Sequence, residues 1–248
     1  AQTKYLLGRI QSEQSEDEQA VVLLEEARRI FADEGDAMGA ARSLNLLAGC
    51  QMRLHRDNDA ARASLEQSVS LLREMAPSAI YAEALRYLAR IHSRTGVYGE
   101  AEALLGEASR VCDALQDRGE YAAVLYEQMV LAKRRGRWET AVEAGQEALA
   151  LFSDLGSLRW QGLVKTQLGV LHQAQGQHDA ALICLQEALP IFDDVGDRIE
   201  QAYVFYYLHR LHEEMGQAEE SRSAAAQARR LNRTLQIPYL LEQLGESG

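Results

Sequence analysis

Four glycines stand forty residues apart: Gly96, Gly136, Gly176 and Gly216. Each precedes a helical stretch rich in alanine: Ala101 to Ala108, Ala141 to Ala148, Ala181 to Ala188, and Ser221 to Ala228. A fixed period of this size means stacked copies of one supersecondary unit, because a single unit cannot bury its own apolar face. One continuous array is therefore expected over residues 1–248, with repeats near 1–34, 35–75, 76–115, 116–155, 156–195 and 196–235 and a cap at 236–248.

Within a unit, glycine or a polar turn separates two helices. In the fifth unit the first helix (helix A) is expected near Ser157 to Gln175. Gly176 closes it, because glycine tolerates a left-handed backbone. The second (helix B) runs from about Asp179 to Asp193. The turns between units are Gly35-Asp36, Ala76-Pro77, Gln116-Asp117, Gly156-Ser157 and Gly196-Asp197, mixing glycine with the helix-starting residues Asp, Ser and Pro. Apolar residues recur three and four apart. Leu85, Leu88 and Ile91 become Leu125, Gln128 and Leu131, then Lys165, Leu168 and Leu171, then Phe205, Leu208 and Leu211. Only Gln128 and Lys165 break this amphipathic helical stripe. Small residues recur where helices should touch: Gly8, Ala48, Ala89 and Gly169 in helix A, and Ala27, Ala108, Ala148, Ala188 and Ala228 in helix B. No strand-like alternation stands out, so no sheet is expected. The turn from Leu54 to Asp59 is offset by one residue from its counterparts. Pro190 should bend or tighten the fifth helix B. Pro238 should start a short capping helix, Tyr239 to Leu244.

The 26 basic and 37 acidic residues give a net charge of −11, which disfavours general nucleic-acid binding. The three cysteines, Cys50, Cys112 and Cys184, form no CxxC pair and fit buried thiols in a reducing, cytoplasmic setting. No apolar run approaches the roughly 20 residues of a membrane span, and the start shows no signal peptide. Beginning inside a helical pattern, the chain reads as a piece of a longer protein.

These positions resemble the tetratricopeptide repeat. The match lies in Leu168-Gly169, Gly176, Ala181 and Ala188, in Gly136, Ala141 and Ala148, and in Ala89, Gly96, Ala101 and Ala108. The typical period is 34 residues; the longer one here is similar to the repeats of bacterial regulators, signalling ATPases and partner-switching scaffolds. Two departures fall in the sixth unit, His209 at a small-residue position and Ser221 at an alanine position. The resemblance implies an all-α, right-handed superhelical solenoid of about six antiparallel helix pairs plus a C-terminal capping helix, with helix A lining the concave side.

On that arrangement the groove carries Tyr5, Arg9, Arg42, Asn45, Arg53, Arg86, Arg90, Arg94, Tyr126, Lys133, Arg134, Tyr203, Tyr206 and Arg210. Guanidinium forks suit carboxylates, phosphates and acidic helices, and tyrosines add rigid contact area. Two readings of the arginines stand: a groove for an acidic peptide or protein segment, or ion pairing with neighbouring helices through residues such as Glu83 or Glu127. The Lys and Asn set with which some members of this family hold a terminal carboxylate is incomplete, since Asn45 is present without the lysines.

No catalytic constellation, cofactor motif or metal site emerges. His209 and His212 with Glu213 are better explained by packing. Trp138 and Trp160 read as interhelical packing, and Glu13 to Glu18 and Glu25-Glu26 as solvated faces. The leading expectation is a noncatalytic scaffold for a protein or peptide partner, without cofactor or membrane contact. Self-association through apolar residues such as Leu6, Leu7 and Ile10 is the alternative; a nucleic-acid-associated regulator is the second.

Overall fold

The computed structural model describes residues 1–14, 16–54 and 59–245. Among them are thirteen helices and no strand: α1 (Gln2–Glu13), α2 (Asp17–Asp33), α3 (Ala37–Leu54), α4 (Asp59–Leu72), α5 (Ala79–Arg94), α6 (Tyr98–Leu115), α7 (Arg118–Arg134), α8 (Trp138–Asp154), α9 (Leu158–Ala174), α10 (His178–Asp194), α11 (Arg198–Glu214), α12 (Ala218–Leu235) and α13 (Pro238–Gln243). Odd-numbered helices α1 to α11 are the A helices and even-numbered ones the B helices. The offset expected between Leu54 and Asp59 falls on residues 55–58, outside the described residues.

The turn chemistry explains where these helices stop and start. Gly176 takes φ of +72°. Its N–H bonds to the Gln173 carbonyl at 2.9 Å, and the Gln177 N–H to that of His172 at 2.9 Å, which closes α9 with a Schellman motif. Asp36, Asp117 and Asp197 then start helices: their carboxylates accept from the N–H groups of Gly39, Glu120 and Glu200 at 2.8, 3.0 and 3.2 Å. Gln116 fills the left-handed slot with φ of +52°, forty residues before Gly156 at +65°.

The chain divides into two compact units, Ala1–Leu131 and Ala132–Gly248. In the first, successive helices α1 to α6 pack in turn, and the A helices also touch one another, α1 on α3 and α3 on α5. Leu65, Leu85, Ile91 and Leu105 fill its main core, and Tyr5, Leu24, Phe31 and Leu47 a second cluster. In the second unit α8 to α13 pack in turn and α9 also touches α11. Its core holds Leu185, Phe192, Val204 and Leu211, with Tyr206, Leu231, Leu240 and Leu244 beyond.

Small residues sit where the helix pairs close. A Cβ on Gly169 would lie 2.8 Å from Leu185 Cγ and 3.2 Å from the Ala181 carbonyl oxygen. At the matching place in the sixth pair, His209 Nδ1 lies 2.9 Å from Ser221 Oγ. The two departures therefore compensate each other, exchanging a close steric fit for a hydrogen bond. The two polar interruptions of the stripe also find partners on B helices. Gln128 donates to Ser109 Oγ on the preceding B helix, α6, at 3.3 Å, and Lys165 to Glu187 on its own, α10. Despite Pro190, α10 continues as α-helix to Asp194.

Candidate partner-binding face

The forty-residue period (forty-one across the third unit) places Tyr5, Asn45, Arg86, Tyr126 and Tyr206 at one register of the A helices. Arg9, Arg90 and Arg210 share the register one turn later, and Arg53, Arg94 and Arg134 the next. Side chains four apart lie on one helix face, so within each A helix these residues share one stripe.

In the first unit much of this stripe is engaged internally. Arg53 grips Asp17 with both arms of its fork, Nε to Oδ2 at 2.8 Å and Nη2 to Oδ1 at 2.5 Å, and also donates to Ser12 at 2.6 Å. Asp17 is buried, so this member of the acidic Glu13 to Glu18 stretch is a buried ion-pair partner and not part of a solvated face. Arg86 is 3% exposed and donates to Glu120 through Nε at 2.5 Å, with its guanidinium 4.4 Å from the Tyr87 ring centroid. Burial works against its charge, yet Glu120 holds the guanidinium more firmly protonated than usual. The Glu120 carboxyl is itself pushed up, because burial outweighs the pull of Arg86. Arg90 donates through Nε to Glu127 Oε1 at 2.8 Å, and its guanidinium lies 5.2 Å from the Tyr87 ring centroid.

Asn45 is also occupied. Its Nδ2 donates to the Ile80 carbonyl at 2.9 Å and to Glu83 at 3.0 Å, while Oδ1 accepts from Ser68 at 2.7 Å. It bolts α3, α4 and α5 together. Of the acids named as alternative arginine partners, Glu127 does pair with an arginine, whereas Glu83 holds this asparagine. Tyr5 is buried, Tyr126 is half-buried, and the exposed Arg42 lies 5.8 Å from the Tyr5 ring centroid. Arg9 forms a 3.6 Å pair with Glu13 one turn on and stays exposed. Arg94 is exposed and has no partner among the described residues.

In the second unit, Lys133 is half-buried and donates to the amide oxygen of Gln167, and Arg134 is exposed. The tyrosines are covered by α13. Tyr239 lies 6.3 Å from Tyr203 and stands edge-on to Tyr206 at 5.9 Å. The Tyr206 hydroxyl donates to Gln243 at 3.2 Å and accepts from Arg210 at 3.3 Å. Asn232 Oδ1 accepts from the Ile237 N–H at 2.8 Å, and Arg229 donates to the Leu244 carbonyl at 2.8 Å, fixing that short helix.

The side chains weighed for chemistry make these contacts. His212 lies 2.6 Å from Gln217, and no group of three or more metal-ligating side chains assembles among the described residues. Burial raises all three thiols, Cys112 to about 12, which leaves little thiolate. Trp160 stacks on Phe152 at 5.0 Å. No described helix is long and apolar enough to cross a membrane.

The repeat pattern, the paired helices and their small-residue contacts define a helical-hairpin repeat protein. Residues 161–234 match the family model described as Tetratricopeptide repeat, and this segment belongs to that family. No curated protein matches the sequence significantly. Solved structures extend the fold likeness over most of the chain. A Rap protein complexed with Competence and Sporulation Factor is 15% identical with a TM-score of 0.74, covering 98% of this chain and 75% of that one. BtubC from P. vanneervenii is 18% identical with a TM-score of 0.68, covering 86% and 88%. The Signal Transduction ATPase with Numerous Domains from Pyrococcus horikoshii, which carries a tetratricopeptide repeat sensor, is 16% identical with a TM-score of 0.67, covering 92% of this chain and 37% of that one.

Proposed function

We propose that this chain is a noncatalytic scaffold whose A helices bind an acidic segment of a protein or peptide partner. It would serve as the partner-binding or sensing region of a larger regulatory protein of the bacterial cytoplasm. The observation that carries this reading is an exposed arginine at the same repeat position in each unit, Arg94 in the first and Arg134 in the second, each with no partner among the described residues. Arg42 adds a third exposed guanidinium over Tyr5. Such groups offer forked donors to a carboxylate without breaking an internal pair. The Rap complex and the sensor of the signalling ATPase support a binding role by analogy of fold.

Arg53, Arg86 and Arg90 have a different part in this reading: they hold the helices that present the exposed cations. The test is affinity capture with the parent chain and with Arg42→Glu, Arg94→Glu and Arg134→Glu combined, followed by titration of the captured partner's acidic segment. Loss of that partner on charge reversal is expected; equal retention refutes the reading. Self-association has its own observation, since Leu6, Leu7 and Ile10 of α1 are 37%, 48% and 45% exposed. Light scattering over a concentration series separates the two, because a rising mass favours self-association.

A further inference from the structure

The chain has three lysines, Lys4, Lys133 and Lys165, and two of them face a carboxylate. Lys4 donates to Glu26 at 2.5 Å, and Lys165 donates to Glu187. Lys133 differs. It sits in the last turn of α7, half-buried, and among the described residues donates to the neutral amide oxygen of Gln167 on α9 alone. The charged neighbour acting on it is Arg134, a second cation. Burial first, and then Arg134, lower the ammonium to about 8.

An ammonium has three donors, and here one has a protein acceptor among the described residues. The sequence register shows what is missing. Gln167 stands one forty-residue period after Glu127, the carboxylate that holds Arg90. The position that supplies an anion in the first unit supplies an amide in the second. A cation drawn out of water without a counter-charge is penalised, and an arriving carboxylate relieves that penalty.

We propose that Lys133, with Arg134 at its rim, is the docking point for a carboxylate of an acidic protein segment. The proposal rests on the reading of the A-helix face given above and names the place where that segment is anchored. No internal carboxylate has to be displaced, in contrast to Arg86 and Arg90. Arg134, being exposed, adds a forked donor from the solvent side.

Lysine labelled with carbon-13 at Cε gives three resonances, assigned with Lys4→Arg and Lys165→Arg. Each is titrated from neutral to alkaline pH, alone and with acetylated hexaglutamate amide, hexaglutamine amide or a single-stranded oligonucleotide. With hexaglutamate the Lys133 titration should move up by about one unit or more, roughly a tenfold preference for the charged amine. Lys133→Met should weaken hexaglutamate binding by about tenfold, the loss expected for one charge-assisted hydrogen bond. Gln167→Glu, which supplies an internal carboxylate, should raise the Lys133 titration in the free protein and weaken hexaglutamate binding. If hexaglutamate binds while Lys133 does not move and Lys133→Met binds equally, this anchor is wrong and the acidic-partner reading survives. If the oligonucleotide alone moves Lys133, the carboxylate assignment is overturned. If no probe binds, both the anchor and the acidic-partner reading fall.

Discussion

Arg86→Met tests whether the central arginines hold the helices or meet a partner. The Arg86 side chain is 4% exposed and that of Glu120 16%, and they meet at 2.5 Å. Removing the guanidinium leaves a carboxylate with little access to water, which costs about 3–5 kcal/mol. The lost stacking on Tyr87 at 4.4 Å adds about 1 kcal/mol. Removing both charges, as Arg86→Met with Glu120→Leu, leaves no stranded charge and should return to within about 2 kcal/mol of the parent. The double-mutant cycle should therefore show strong coupling, read from urea unfolding and from hydrogen exchange of α5 and α7. The single defect should also depend on pH. Burial already raises the Glu120 carboxyl with Arg86 present, and losing Arg86 raises it further. A raised carboxyl costs nothing below its unfolded pKa and costs more as pH climbs through its folded value, so Arg86→Met should be mildest in acid. A single-mutant loss below about 1 kcal/mol that adds simply to that of Glu120→Leu would refute the argument and return Arg86 to the binding face.

Three further outcomes follow from the geometry. Gln116→Gly relieves a left-handed residue at φ of +52° and should stabilise the fold by about 1 kcal/mol in urea unfolding. Glu200 is raised to about 7, by burial first and then by Asp197. Its ionisation opposes folding, so the stability held in acid is lost between the ordinary carboxylate range and about 7; Glu200→Gln should gain on the order of 2 kcal/mol in mild alkali and nothing in acid, as paired urea curves will show. Ser221→Ala leaves His209 without its 2.9 Å partner and should cost about 1 kcal/mol by thermal unfolding, with much of that recovered when His209→Ala is added.

The helix pairs were legible because their punctuation is local. Gly176 needs a left-handed backbone and Asp197 supplies a cap within three residues, so both read directly from neighbours in sequence. The allegiance of the cations was not legible, because it is settled one repeat away. Adjacent A helices are staggered, so a side chain meets the next A helix slightly before its own counterpart. Arg86 finds Glu120 34 residues on, Arg90 finds Glu127 37 on, and Arg159 finds Asp197 38 on. A window of 34 to 38 residues therefore sorts the face. For Lys133 it runs from Gln167 to Leu171, for Arg134 from Leu168 to His172, and for Arg94 from Gln128 to Ala132, and none of these contains an acid. Arg53 escapes the rule because it turns back 36 residues to Asp17 on α2. Tyr203 and Tyr206 escape because Tyr239 of the short α13 reaches them. In the proposed function, the stagger that pairs Arg86 and Arg90 internally leaves Arg94 in the first unit, and Lys133 and Arg134 in the second, as the cations open to a partner. An acid placed in their windows should withdraw each of them in turn, and Gln167→Glu is the nearest such change.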